Sequence, residues 1–184
     1  SFFGFGLSAG SAAAIRFYIT TNGGANWTLR TTALANGTFA PCIAFHDNKL
    51  NGIVASSTSL PTIARTTDGG ATFSNVATGV TTTGATQCKW MKNSNTVYLA
   101  GGTGASGCVI KSTNGGLNWT VQSTSGLTGI TSIDFYQSGN SVWGYAICAD
   151  GSVLKLSETI TGVENPSSNV PANYSLEQNY PNPF

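Results

Sequence analysis

The sequence contains one eight-residue motif three times, at an even spacing. The motif reads Ser/Thr-x-Asn/Asp-Gly-Gly-x-x-Trp/Phe and covers residues 20–27, 66–73 and 112–119, so that successive copies start 46 residues apart. A fixed period of about 40–50 residues is typical of folds that repeat a four-stranded sheet. Three copies in register predict a repetitive all-β fold.

Each type of residue that the three copies of the motif share has a physical role in a hairpin. Gly at the two positions after Asn or Asp permits a positive φ, which a tight turn between two strands requires. The Asn or Asp side chain accepts hydrogen bonds from backbone N–H groups of its own turn, and the final aromatic residue covers the hairpin. The residues that we predict to have these structural roles are Asn22, Gly24 and Trp27 in the first copy, Asp68, Gly70 and Phe73 in the second, and Asn114, Gly116 and Trp119 in the third.

Composition and strand pattern agree with a β-sheet protein. Charged residues make up only 8% of the chain, and no long segment has a helical period, so that Thr, Ser, Asn and Gly must supply the polar surface. Short alternating segments predict three strands in the first unit, four in each of the next two and three in the last. The first unit lacks its opening strand and the last its closing strand. We therefore expect either a closed four-bladed ring or, as the preferred interpretation, a piece of a larger one.

The charge argues against two classes of partner. The net charge is +1 and no basic cluster occurs, which disfavours binding to nucleic acid or to an anionic membrane surface. No apolar run approaches the roughly 20 residues that a membrane-spanning helix needs. We expect no nucleic-acid partner and no membrane insertion.

The repeated motif resembles the Asp-box, also called the BNR repeat. With the preceding Val109-Ile110-Lys111, the third copy is similar to the propeller repeats of the photosystem II assembly factor and sortilin group. The resemblance covers about residues 2–162 and implies a β-propeller or propeller segment with the boxes on outer hairpins. In that family the box is a folding device and not an active site. Two copies have Asn where the family often has Asp. A calcium site usually needs several carboxylate or other oxygen ligands, and the three boxes contain only one carboxylate. We therefore expect no metal.

The end of the sequence resembles a second family. Residues 163–175 are rich in Pro, Ser and Asn and are predicted to form a linker, whereas residues 176–184 resemble the beginning of the C-terminal sorting domain of type IX secretion substrates in Bacteroidota. The domain organisation that we expect is thus propeller blades over 1–162, a linker and a truncated sorting domain. The resemblance implies export by the type IX secretion machinery and a secreted or cell-surface location.

The four cysteines lead to two alternatives. They form no CxxC pair, which argues against a thiolate zinc site. Cys42 and Cys88 lie one period apart at the start of equivalent strands, and Cys108 and Cys148 lie in neighbouring units. We predict the disulfides Cys42–Cys88 and Cys108–Cys148, which fit an oxidising environment. The alternative is four buried free thiols.

Catalytic residues are not predicted. Hydrolysis of a glycosidic bond requires two carboxylates about 5–10 Å apart. Outside the motifs and the end of the chain, the candidates are Asp47, Asp134 and Asp150, and a structural role is favoured for each. The single histidine, His46, is expected in a solvated turn. No cofactor is implied.

The preferred hypothesis is a secreted, non-enzymatic β-propeller module for binding or assembly at the bacterial cell surface, with a protein or glycan ligand. Trp90, Trp143 and Tyr145 are candidate contacts, with core packing as the alternative for each. A second hypothesis is the C-terminal part of a larger Asp-box glycoside hydrolase. A third is a structural subunit that self-associates through open blade edges.

Overall fold

The computed structural model of the protein describes residues 4–8, 16–32, 34, 42–56, 62–80, 84–102, 107–123 and 127–160. This part of the chain contains no helix, and therefore none that could span a membrane. The predicted linker and sorting-domain segment lie outside it. The strands are β1 Gly4–Ser8, β2 Arg16–Thr20, β3 Thr28–Thr31, β4 Cys42–Phe45, β5 Gly52–Ala55, β6 Thr62–Thr66, β7 Ser74–Ala77, β8 Ala85–Trp90, β9 Val97–Gly101, β10 Cys108–Ser112, β11 Thr120–Ser123, β12 Ile130–Ser138, β13 Ser141–Cys148 and β14 Val153–Thr159.

The strands form four antiparallel sheets in which neighbours in sequence are neighbours in space. Sheet 1 has the order β1-β2-β3, sheet 2 β4-β5-β6-β7, sheet 3 β8-β9-β10-β11 and sheet 4 β12-β13-β14. Tight turns with Gly at positive φ join β2 to β3, β6 to β7 and β10 to β11, as expected where Gly and Asn allow a reversal of the chain. The all-β class and the predicted division into three, four, four and three strands are confirmed.

The core lies between successive sheets. Because side chains alternate along a strand, each inner sheet presents one apolar row to the sheet before it and one to the sheet after it. The contact between sheets 2 and 3 is the most extensive and includes Ala44, Ile53 and Ile63 on one side and Cys88, Leu99 and Ile110 on the other. Phe17 of sheet 1 packs with Val54 and Ala64 of sheet 2.

The outer face of sheet 4 has no sheet against it in the described part of the chain. Tyr136 is 68% exposed and Val153 62% exposed on this face. The inner face of the same sheet is buried on sheet 3 through Ile133 and Ala146. Within the described ranges the four sheets thus form an arc in which the outer face of sheet 4 is not covered.

The predicted disulfides are not present in the structure. All four cysteines are buried and have reduced side chains rather than disulfides, which is the alternative that the sequence left open. Cys42 and Cys88 do meet between sheets 2 and 3. Burial, together with a hydrogen bond and charge repulsion from Cys42, raises the pKa of the Cys88 thiol, which favours its protonated form.

The prediction of a solvated turn at His46 is wrong. Its side chain is buried, its Nδ1 accepts a hydrogen bond from the Asn48 backbone N–H at 3.0 Å, and its ring lies edge-on to Trp90. Trp90 is also buried and donates its indole N–H to the Ser94 carbonyl at 2.7 Å. Both rings belong to the contact between sheets 2 and 3, so Trp90 is core and not a surface contact.

Candidate functional site

The three motif hairpins share one hydrogen-bond pattern. The hydroxyl of the first residue (Thr20, Thr66 or Ser112) accepts from the backbone N–H of the second glycine at 2.9 Å in every copy. The side-chain oxygen of the third residue accepts from the backbone N–H four positions later, also at 2.9 Å, whether that residue is Asn or Asp. The motif oxygens therefore bond within the hairpin, as a local folding unit requires.

Asp68 has one bond that the Asn copies lack. Its Oδ2 accepts from the Thr72 hydroxyl at 2.6 Å. This bond and the bond from the Thr72 backbone N–H lower the pKa of Asp68 to about 2. The carboxylate is thus ionised over the whole neutral and mildly acidic range.

Asp68→Asn is expected to reduce the loss of stability in acid. The folded-state pKa is depressed below its ordinary value of 3.8, so the contribution of the carboxylate is complete above about pH 4 and is lost as the pH falls toward 2. Since Asp68 is exposed to solvent, we expect a difference of about 1 kcal/mol or less. Urea unfolding of wild type and variant at neutral and acidic pH measures it. Thr72→Val, which removes the hydroxyl donor, should give an intermediate result, and an unchanged acid profile in Asp68→Asn would contradict the assignment.

The hairpins also join the sheets. The Arg65 guanidinium of sheet 2 donates from Nε to the carbonyl of Gly115, in the third hairpin, at 2.6 Å. Phe73, which ends the second motif, packs edge-on against Phe17 of sheet 1 with ring centres 5.2 Å apart. The second and third hairpins therefore contact the preceding sheet, and this contact is the tertiary role of the motif in these two copies.

A cleft of about 300 Å³ opens between sheets 3 and 4. Gly144 shapes it, because a Cβ there would lie 2.5 Å from Cε1 of Phe135, so only glycine lets that ring lie flat on β13. The walls are mainly apolar and include Tyr98, Val109 and Gln122 from sheet 3 and Phe135, Leu154 and Leu156 from sheet 4.

Tyr98 carries the unusual polar group of this cleft. Its ring is fully buried and stacks on Phe135 with ring centres 4.5 Å apart. Its hydroxyl is buried with no hydrogen-bond partner among the described residues. An unsatisfied buried hydroxyl costs about 1–3 kcal/mol. A group that reduces stability in this way is a candidate for binding, because a ligand can provide the missing partner.

An ion pair lies beside Tyr98. The Lys111 ammonium binds both carboxylate oxygens of Glu158 at 2.8 Å and lies 5.6 Å from the centre of the Tyr98 ring. Loss of hydration raises the pKa of Glu158 and lowers that of Lys111. The pair links sheet 3 to sheet 4, and its two charges neutralise each other, whereas Lys155 is an exposed cation in the lining of the cleft.

The carboxylates considered for catalysis each have a structural partner. Asp47 accepts from the Asn93 backbone N–H at 2.7 Å, and Asp134 accepts from its neighbour's N–H and lies 3.7 Å from the Lys89 ammonium. Asp150 accepts hydrogen bonds from the Ser152 hydroxyl and then from its backbone N–H, and these bonds lower the pKa of Asp150. No group of three His, Cys, Asp or Glu side chains that could hold a metal occurs in the described ranges.

The cleft was not found from the sequence. Tyr98 occupies an ordinary alternating position in a strand, and nothing in its neighbours along the chain marks its hydroxyl as unpartnered. Of the aromatic residues proposed as contacts, Tyr145 is 53% exposed and contributes to the lining of the cleft, whereas Trp143 stacks on Tyr136 on the outer face of sheet 4.

No protein-family model matches the sequence, and no curated protein matches it. Solved structures do share the fold. One is YCF48 bound to a D1 peptide, with a TM-score of 0.58 and 19% identity over 83% of this chain and 46% of that one. A second is an ancestral GH74 enzyme, with a TM-score of 0.58 and 20% identity over 83% of this chain and 24% of that one. A third is hydrazine synthase of Kuenenia stuttgartiensis, with a TM-score of 0.53 and 11% identity over 82% of this chain and 45% of that one. The chain thus spans between a quarter and a half of these structures.

Proposed function

We infer that the four sheets, whose fold is shared with β-propeller proteins, act as a binding module. We propose that this module is a non-enzymatic binding protein that holds an apolar side chain of a protein segment in the cleft between sheets 3 and 4. The observation that carries the proposal is the buried, unpartnered hydroxyl of Tyr98 in an apolar cleft. The structural partners of the described carboxylates support a role other than catalysis.

A polypeptide segment has the two groups that the cleft requires. An apolar side chain packs against Phe135, Leu154 and Leu156, and burial of such a side chain contributes about 1.5–3 kcal/mol. A backbone carbonyl of the same segment accepts the hydrogen bond from Tyr98. The complex of YCF48 with a D1 peptide supports a peptide ligand, because it gives an example of a similarly folded protein with a bound peptide.

We place this binding outside the cell. The proposal rests on the resemblance of residues 176–184 to a type IX sorting domain and of the hairpin motifs to the Asp-box. It makes the type IX machinery a partner during export and a cell-surface or secreted protein the ligand. Detection of the protein in the medium or on intact cells, and its loss from both when type IX secretion is disabled, tests the location.

Tyr98→Phe is expected to stabilise the unliganded protein and to weaken binding. The variant keeps the stacked ring and removes the hydroxyl, so the free energy of unfolding should rise by about 1 kcal/mol. Affinity for peptides selected on the wild type from a random displayed library should fall about five- to tenfold, since one hydrogen bond is lost. Urea unfolding and titration calorimetry measure the two effects.

Tyr136→Phe is the matched control, because Tyr136 is exposed on the far face of sheet 4. It should leave both stability and affinity unchanged. A Tyr98→Phe variant that is less stable than the wild type and binds the peptides equally well would refute the role of the hydroxyl. Failure to select any peptide that Tyr98→Phe weakens would refute the cleft as the binding site.

A second candidate is a segment of a larger glycoside hydrolase. This candidate is favoured because the chain has the same fold as part of the GH74 enzyme, over 24% of that enzyme's length. The catalytic carboxylates would then lie outside the described residues, since Asp47, Asp134 and Asp150 are in structural bonds. Release of reducing sugar ends from β-glucans by a longer protein that contains this chain, but not by the 184-residue chain alone, would support this candidate over the binding module.

A further inference from the structure

β14 is an edge strand in the described part of sheet 4. Sheets 2 and 3 continue with a fourth strand, β7 or β11, which follows the motif hairpin, whereas sheet 4 has the order β12-β13-β14. β14 comprises seven residues, and β7 and β11 comprise four each. A row of backbone N–H and C=O groups along such an edge is a template for another strand.

The residues at the end of β14 do not repeat the motif. Glu158 lies one period after Ser112, the first residue of the third motif, but its carboxylate is held in the ion pair with sheet 3. Ile160 lies one period after Asn114, and its apolar side chain is buried in the core. The sequence at the end of β14 therefore lacks the side chains that fold the hairpin before β7 and before β11.

Every second residue of β14 directs its backbone groups away from β13. Hydrogen bonds in an antiparallel ladder join alternate pairs of residues. At one end of this ladder the Ile160 N–H donates to the Asn140 carbonyl at 2.8 Å, and at the other end the Cys148 N–H donates to the Ser152 carbonyl at 2.9 Å. In the register between these two pairs, the residues whose N–H and C=O groups face the free edge are Val153, Lys155 and Ser157.

At the two earlier junctions an aromatic residue of the motif packs between neighbouring sheets. Between sheets 1 and 2, Phe73 packs edge-on against Phe17 in a cluster that also contains Ala64. Between sheets 2 and 3, Trp119 packs against the core cluster. The residues of this second cluster that lie one period after Phe17 and Ala64 are Ile63 and Ile110.

The cleft between sheets 3 and 4 occupies the corresponding place at the next junction. One further period along the chain, the same two positions are Val109 and Leu156, and both line the cleft. The position one period after Trp119 is Asn165. The fourth unit thus has no aromatic residue at the motif position, and the cleft has a volume of about 300 Å³.

We propose that the ligand of this cleft is an extended segment of another protein that carries a Trp or Phe residue. Its backbone pairs with the free edge of β14 as a fourth strand of sheet 4, which is a known mode of peptide recognition. Its aromatic side chain takes the place that Phe73 and Trp119 take at the earlier junctions. This inference rests on the proposed function and adds the conformation of the bound segment and its anchoring residue.

Lys155→Pro tests the pairing with β14 from the side of the protein. Proline has no backbone N–H, and at an edge position that faces away from β13 it leaves the β13–β14 ladder intact. Affinity for the selected peptides that Tyr98→Phe weakens should fall about tenfold. Lys155→Ala keeps the N–H and should weaken binding less. Titration calorimetry measures both affinities, and circular dichroism checks that each variant is folded.

N-methylation of a selected peptide tests the same pairing without a change in the protein. One backbone amide is methylated at a time. Binding should weaken about tenfold at every second position and change little between them, because alternate N–H groups of an added strand face its neighbour. Replacement of the aromatic residue of the peptide by Ala should weaken binding about tenfold or more.

The outcomes separate this inference from the proposed function. Selected peptides without a shared aromatic residue, or a methylation profile that does not alternate, would overturn the inference while the effect of Tyr98→Phe still defines a peptide site. A folded Lys155→Pro variant with unchanged affinity would show that the ligand does not pair with β14. A library that yields no peptide weakened by Tyr98→Phe would overturn the proposed function and this inference with it.

Discussion

Gly70→Ala is expected to destabilise the protein by about 3 kcal/mol or more. Gly70 has a φ of +87°, a conformation that costs an L-residue about 1–2 kcal/mol. A Cβ at this position would also overlap the ring of Phe17, well inside contact distance. Because that ring is fully buried between sheets 1 and 2, it has no free space to move into. The midpoint of urea unfolding measures the loss.

The two other copies of the motif provide matched controls. Gly116 and Gly24 have φ values of +83° and +89°, so Ala suffers the same backbone strain at each. The added Cβ would lie 3.0 Å from Cγ2 of Ile53 at Gly116, and 3.9 Å from the nearest atom at Gly24. We therefore expect the destabilisation to decrease from Gly70→Ala through Gly116→Ala to Gly24→Ala. Equal losses at the three positions would show that backbone strain alone determines the effect.

Phe17→Ala is expected to cost about 3–5 kcal/mol, the range for removal of a buried aromatic ring. Phe17 is 0% exposed, and its ring centre lies 5.9 Å from that of Phe45 and 5.2 Å from that of Phe73. These contacts hold sheet 1 on sheet 2. Thermal unfolding followed by circular dichroism should show a lower midpoint, and sheet 1 should lose protection from hydrogen exchange before sheets 2 and 3. Uniform loss of protection in all sheets would contradict this role.

The double variant Gly70→Ala with Phe17→Ala tests both assignments together. Removal of the ring makes room for the new methyl group, so the cost of Gly70→Ala should fall to the backbone strain alone. The two effects are then strongly non-additive, as expected for residues in direct contact. Additive effects would show that the ring and the glycine do not meet. The same cycle with Phe73→Ala in place of Phe17→Ala should show weaker coupling, because the ring overlap of the added Cβ is with Phe17.

The sequence by itself determined the architecture because the signals for it are local. The side-chain hydrogen bonds within each motif join residues no more than four positions apart, such as Thr20 and Gly24 or Asn22 and Asn26. A pattern within eight residues is therefore sufficient to place a turn, and its period of 46 residues is sufficient to predict four sheets and the strands in each. The incomplete first and last sheets followed from the same spacing.

Only the tertiary structure decided which side chains are available for binding. Tyr98 meets Phe135, which is 37 residues away. Cys42 meets Cys88 and His46 meets Trp90, and each of these pairs is separated by more than 40 residues along the chain. Burial of His46 and the unpartnered hydroxyl of Tyr98 depend on how closely one sheet packs on the next. A strand period specifies which face a residue lies on. It does not specify which side chains of the facing sheet contact that residue. For this physical reason the cleft could be identified only from the packing of the sheets.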